Sequence, residues 1–107
     1  MKIKKSEKDT QRQIIDYLKL TGWSVYRTNN AATWNAKCQA YIWHGKKGYP
    51  DITAIKGKIL MFAEIKSSVG KLSTDQAEFQ KLISEVDQVM AVTARSLDDI
   101  LAKISAN

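Results

Sequence analysis

Apolar positions along this chain change period several times, and each change predicts an element. At about 100° per residue, Glu7, Gln11, Ile14 and Leu18 share one stripe, which predicts an amphipathic helix from Glu7 to about Leu20. Ser6 is a suitable N-cap with Asp9 three residues on, and Gly22 is a natural stop. Trp23 to Arg27 reads as a short strand. Residues 28–49 are less regular: Asn29, Asn30, Thr33 and Asn35 suggest turns, and Gln39 to Trp43 suggests another strand. Asp51 to Ile55 and Lys58 to Lys66 then form a hairpin across Lys56-Gly57. The second of these strands is apolar on both faces, Leu60 and Phe62 on one, Ile59, Met61, Ala63 and Ile65 on the other. That pattern predicts a central strand covered on both sides. Ser73 and Gln76 are spaced as a capping box opening a helix that runs to about Val86. Val89 to Thr93 is a short apolar strand, and Ser96 caps a last helix carrying Leu97, Ile100, Leu101 and Ile104. The fold class is α/β (α+β), a small mixed sheet flanked by helices, in one domain spanning 1–107.

Composition narrows the range of partners. Seventeen Lys+Arg against eleven Asp+Glu give a formal charge of +6, which suits a polyanion but also describes many small proteins without one. The lone Cys38 excludes an internal disulfide and a cysteine-based zinc site, pointing to a reducing compartment. His44 has no Cys or second His nearby and is a poor zinc candidate. The longest uninterrupted apolar run, Ile59 to Ala63, is far shorter than a membrane span. Met1-Lys2-Ile3-Lys4-Lys5 leads into no apolar segment, so no signal peptide is expected. A soluble, cytoplasmic protein is the expectation.

The candidate chemistry lies in two segments, Gly48-Tyr49-Pro50-Asp51 and Glu64-Ile65-Lys66. With Lys56-Gly57 as a two-residue loop, Ile55 pairs with Lys58 and Asp51 lies opposite Phe62. Strand alternation then puts Asp51 on one face with Glu64 and Lys66. Two carboxylates and a lysine on a buried sheet are the minimum for binding a divalent cation and hydrolysing a phosphodiester. A Pro-Asp followed by an acidic-x-Lys arises by accident in roughly 2% of chains of this length, so placement gives it meaning. A strand emerging into solvent with an ordinary ion pair accounts for Glu64 and Lys66 as well. Glu7 begins the inward stripe, where an acid complementing the helix dipole is the simpler reading. Gln76 aligns with Phe79 and Ile83 on an inward stripe, although capping alone explains it. Trp34, Tyr41, Trp43 and Tyr49, mixed with Lys37, His44, Lys46 and Lys47, could stack on bases, with core or interface packing the plainer reading.

The order Glu7, Gly48-Tyr49-Pro50-Asp51, Glu64-Ile65-Lys66 and Leu72-Ser73-x-x-Gln76 resembles the PD-(D/E)xK nuclease superfamily. Within it the chain looks most like the compact, stand-alone virus-type replication-repair nuclease (VRR-NUC) domain of phages and bacteria. The resemblance extends to Gly22-Trp23, Arg27-Thr28-Asn29-Asn30 and Val92-Thr93-Ala94-Arg95-Ser96-Leu97-Asp98-Asp99. One departure is Asp87-Gln88, where the family commonly has glycine. The resemblance implies a restriction-endonuclease-like αβββαβ core with a C-terminal helix. It also implies Mg²⁺ or Mn²⁺ held by Asp51, Glu64 and the Ile65 carbonyl, with Glu7 completing the set. Lys66 would orient the attacking water or offset developing charge, and Gln76 would fix Lys66 or a phosphate oxygen. The implied activity is structure-selective DNA cleavage leaving a 5′-phosphate, resembling that of a Holliday-junction resolvase and exerted by a homodimer in a bacterial or phage-infected cell. Flap, nick or general nuclease activity, or a non-catalytic DNA-binding module, are the alternatives. Arg27, Lys46, Lys47 and Lys71 are candidate phosphate contacts, as are Lys2, Lys4 and Lys5, with solvated lysine the default.

Overall fold

A computed structural model describes residues 6–28, 32–43 and 48–106, with only the backbone of 32–34 and 41–43. Helix α1 is Glu7–Leu20, and the Ser6 side chain accepts a hydrogen bond from the Asp9 N–H, as the sequence predicts. Gly22 turns the chain at φ +94°, a conformation that L side chains rarely adopt. Strands β1 (Ser24–Arg27), β2 (Ala32–Asn35), β3 (Ala40–Trp43), β4 (Ile52–Lys56) and β5 (Ile59–Ile65) follow, then α2 (Thr74–Ile83), β6 (Val89–Ala94) and α3 (Leu97–Ser105).

The main sheet has the order β1-β4-β5-β6, antiparallel except for the parallel pair β5-β6, whose crossover is α2. Strands β2 and β3 make a separate hairpin. Its turn is organised by Asn35, whose Oδ1 accepts from the N–H groups of Lys37 (2.9 Å) and Cys38 (3.3 Å). Without that insertion the element order is αβββαβ plus a last helix.

Side chains alternate across β5. Met61, Ala63 and Ile65 face Ile14 and Leu18 of α1 and Ile100 of α3, and with Ile52, Ala54, Met90, Val92 and Ala94 they form one buried core. Phe62 and Glu64 face the other way, toward α2. There the rings of Phe62, Phe79 and Tyr49 meet edge-to-face, with centroids 5.2–5.8 Å apart. Tyr49 is therefore a half-buried packing residue and not part of an exposed aromatic surface.

Expectations for the β4-β5 turn, the end of α2 and the cap of α3 need correction. The β4-β5 loop is Gly57-Lys58, with Lys56 opposite Ile59. Gly57, at φ +60°, takes the first loop position, which a type II′ hairpin reserves for glycine. The register therefore differs by two residues, and because side-chain direction has period two, Asp51 stays on the predicted face. Helix α2 ends at Ile83, since the chain must turn into β6 through Gln88 at φ +64°. Ser96 stands at the N-cap of α3 but makes no side-chain capping bond. The Asp99 carboxylate binds the Arg95 N–H instead, at 2.8 Å.

Candidate active site

The site forms where the sheet opens between β4 and β5. Pro50 has no N–H and precedes the strand, so Asp51 stands just outside the regular β4 ladder. Its carbonyl accepts from Thr28 N–H at 2.8 Å, and its Oδ2 accepts from Ile65 N–H at 2.9 Å. The Asp51 carboxylate thereby replaces a backbone acceptor and is held against β5. Gly48 lets the segment leading to Asp51 pass close to α2. At φ +88°, a Cβ there would lie 2.7 Å from the backbone of Asp75 in the first turn of α2.

Glu64 is only 4% exposed. Its Oε1 accepts from Gln76 Nε2 at 2.8 Å, while Oε2 is buried with no hydrogen-bond partner. Burial is the main reason that its pKa rises from 4.5 to about 8. The negative charge and closeness of the Asp51 carboxyl raise it further, against the pull of Lys66, and Glu7 adds a small push in the same direction. Lys66 follows β5 and is half-buried, and its N–H donates to the Ala94 carbonyl at 3.0 Å, extending the parallel ladder.

Gln76 carries out both functions that the sequence left open. Its Oε1 accepts from Ser73 N–H at 2.9 Å, closing the capping box, and its Nε2 reaches Glu64. The expected partner was Lys66 or a phosphate; the partner in the fold is Glu64. Glu7 is exposed at the start of α1, and among the described residues no three acidic, His or Cys side chains converge at metal-binding range. The structure thus brings together Asp51, Glu64, Lys66 and Gln76 and leaves Glu7 outside that contact group. Arg27 and Lys71 are exposed on the surface. Lys2, Lys4, Lys5, His44, Lys46 and Lys47 lie outside the described residues, and of the side chains of Trp34, Tyr41 and Trp43 only the sequence speaks.

Arg95 is a residue whose role sequence reasoning missed. Its Nη1 donates to the carbonyls of Ser67 and Gly70, pinning the loop that leads from Lys66 to α2. Its position directly after β6, beside the end of β5 in parallel register, is the signal that could have found it.

Two carboxyls in contact, one with a buried unpaired oxygen, and a lysine at the rim fit a hard divalent cation. The same set would also support general acid–base chemistry by a high-pKa carboxyl. No family model and no curated protein matches this chain.

Proposed function

We propose that the protein is a metal-dependent nuclease that hydrolyses phosphodiester bonds in DNA, of the VRR-NUC type within the PD-(D/E)xK superfamily. The observation that carries the reading is Glu64: a buried carboxyl with an unsatisfied oxygen, in contact with Asp51 and flanked by Lys66. Burying such a pair costs several kcal/mol by order of magnitude unless a counter-charge joins it. A protein using this face only for packing would be more stable with apolar residues at both positions.

Asp51 and Glu64 are the residues that would hold Mg²⁺ or Mn²⁺. A cation held there would supply a water of lowered pKa and offset charge on the phosphate. The chain's own groups do the rest. The Ile65 N–H fixes the Asp51 carboxylate, and the Gln76 amide fixes Glu64, so both are oriented before substrate arrives. Lys66 supplies positive charge beside the attacked phosphate and orients the attacking water. Preference for branched DNA and a homodimeric state rest on the resemblance and on the near two-fold symmetry of a four-way junction.

The test is incubation of a labelled four-way junction, a flap and a linear duplex with Mg²⁺ or with EDTA, beside Lys66→Ala. Paired nicks in the junction that require both metal and Lys66 are expected. Binding without cleavage under Mg²⁺ and Mn²⁺ would replace the nuclease by a DNA-binding module on the same scaffold.

A further inference from the structure

A second feature lies on the opposite face of the sheet from the carboxylates. Lys8, Gln11, Arg12 and Ile15 of α1, with Arg27 at the end of β1, line an open concavity of about 250 Å³. The helix residues are spaced i, i+3, i+4 and i+7, so they form one stripe beside the buried stripe of Ile14 and Leu18. Ile15 packs on the core at the floor, and the three cations are exposed around it.

Three electrostatic choices here cost stability. Lys8 is in the first turn of α1, where the helix dipole disfavours a cation. Lys8 and Arg12 repel each other at i, i+4. Arg27 brings a third positive charge from the neighbouring strand. Acidic partners are near in sequence (Glu7, Asp9 and Asp16), yet none forms an ion pair with these three cations among the described residues. A concave surface with three uncompensated cations, a polar amide and an apolar floor matches a phosphodiester backbone, phosphate against cations and sugar against Ile15.

Its position relative to the carboxylates gives the site a role. Arg27 pairs with Ile52, and the next rung joins Thr28 to Asp51. Arg27, at one border of the concavity, and Asp51 therefore lie at the same end of the sheet on adjacent backbone rungs, with the concavity and the carboxylates on opposite faces.

We infer that Lys8, Arg12 and Arg27 form a backbone-anchoring subsite for a DNA strand that passes over this end of the sheet toward Asp51 and Glu64. The inference rests on the nuclease reading for its substrate, and it concerns affinity, not chemistry. A charge-matched control exists at the other end of the sheet, where Lys58 and Lys103 border a second concavity with Ile59, Gln88, Val89 and Met90.

The experiment measures binding of a labelled junction and a labelled duplex in Ca²⁺ over a range of salt. It compares wild type, Lys8→Gln/Arg12→Gln, Arg27→Gln and Lys58→Gln/Lys103→Gln, each checked for a melting temperature no lower than that of wild type. The first pair should weaken binding by about tenfold or more and flatten the log–log salt slope by about 2, and Arg27→Gln by about 1. The Lys58/Lys103 pair should change neither beyond about twofold. Equal losses for both pairs would mean general charge attraction and overturn the subsite, as would no loss for either. Cleavage by wild type with undiminished binding by Lys8→Gln/Arg12→Gln would sink the subsite and leave the nuclease. Binding through the three cations without cleavage under Mg²⁺ or Mn²⁺ would do the reverse, and no DNA binding at all would overturn both.

Discussion

The two faces of strand β5 are built on opposite principles. Toward α1 and α3, Met61, Ala63 and Ile65 are sealed among the apolar side chains of Ile14, Leu18, Ile52 and Ile100. Toward α2, the same strand presents Phe62 and Glu64 to a helix without one fully buried residue. That helix docks through an aromatic trio and two side-chain hydrogen bonds, Gln76 to Glu64 at 2.8 Å and Gln80 to Thr93 at 2.7 Å. One face supplies stability, and the other gives some of it up to hold a buried carboxyl whose Oε2 has no hydrogen-bond partner. A strand alternating with period two is well suited to this division, because neighbouring residues need share neither environment nor purpose.

The comparison is sharpened most by substitutions that should fail in opposite ways. Lys66→Ala is expected to reduce cleavage by about 10²–10³-fold or more with little change in melting temperature. Ile14→Ala on the other face should cost about 2–5 kcal/mol of stability. Its cleavage rate per folded molecule should stay near that of wild type. Denaturant titration and single-turnover cleavage on the same samples separate the two. A large stability loss in Lys66→Ala would show that this face also holds the fold.

Glu64 supplies the next largest effect, and its sign is opposite to that of an ordinary surface acid. The folded pKa of about 8 lies above the usual 4.5, so between those values the folded state holds a proton that the unfolded state has lost. Glu64's contribution to stability is therefore fully present below pH 4.5 and is lost as pH rises through 8. The melting temperature should fall from pH 5 to pH 8.5 in EDTA. Glu64→Gln should flatten that fall and melt higher than wild type at pH 8.5, while losing cleavage. If the ionised pair holds a divalent cation as proposed, Mn²⁺ should reduce the fall in wild type. A profile that is the same in wild type and Glu64→Gln would remove the buried-carboxyl argument.

The sequence made the dry face readable and only half of the other. Helix α1 follows directly from its Ser6 cap, apolar stripe and Gly22 stop. Asp51, Glu64 and Lys66 come to one face even though the loop is Gly57-Lys58, because an error of two residues leaves side-chain direction unchanged. What could not be read depends on distances between elements. The bond from Gln76 to Glu64 spans helix and strand, and the Asp51 bond to Ile65 depends on the strand beginning one residue late. The strand over Gln39–Trp43 was legible and matches β3, but β2 was hidden by a turn-rich composition in which Asn35 both ends the strand and organises the turn that follows. Gln88 adopts φ +64°, a conformation that suits glycine, so the backbone there bears its strain on a residue with a side chain.

Gly48→Ala tests how closely the α2 face must fit. A methyl group there would meet the Asp75 backbone at 2.7 Å, and the positive φ would be strained in any case. The expected cost is about 2 kcal/mol. Because the clash displaces the first turn of α2, which carries Gln76, cleavage per folded molecule should fall as well. Loss of stability with full activity would mean that the helix can shift without moving Glu64.

The smallest effect discriminates most finely between packing and function on the α2 face. Gln76→Ala and Gln80→Ala each remove one bond between α2 and the sheet, and each should cost about 1 kcal/mol. Their pH dependence should differ. The Gln76 amide donates to Glu64 and so favours its ionised form; removing it leaves both carboxyl oxygens without a donor and raises the Glu64 pKa further. The decline in melting temperature with pH should therefore extend to higher pH in Gln76→Ala, and in Gln80→Ala it should follow wild type. Parallel profiles for the two variants would mean that Gln76 only caps its helix, and that Glu64 owes nothing to the helix above it.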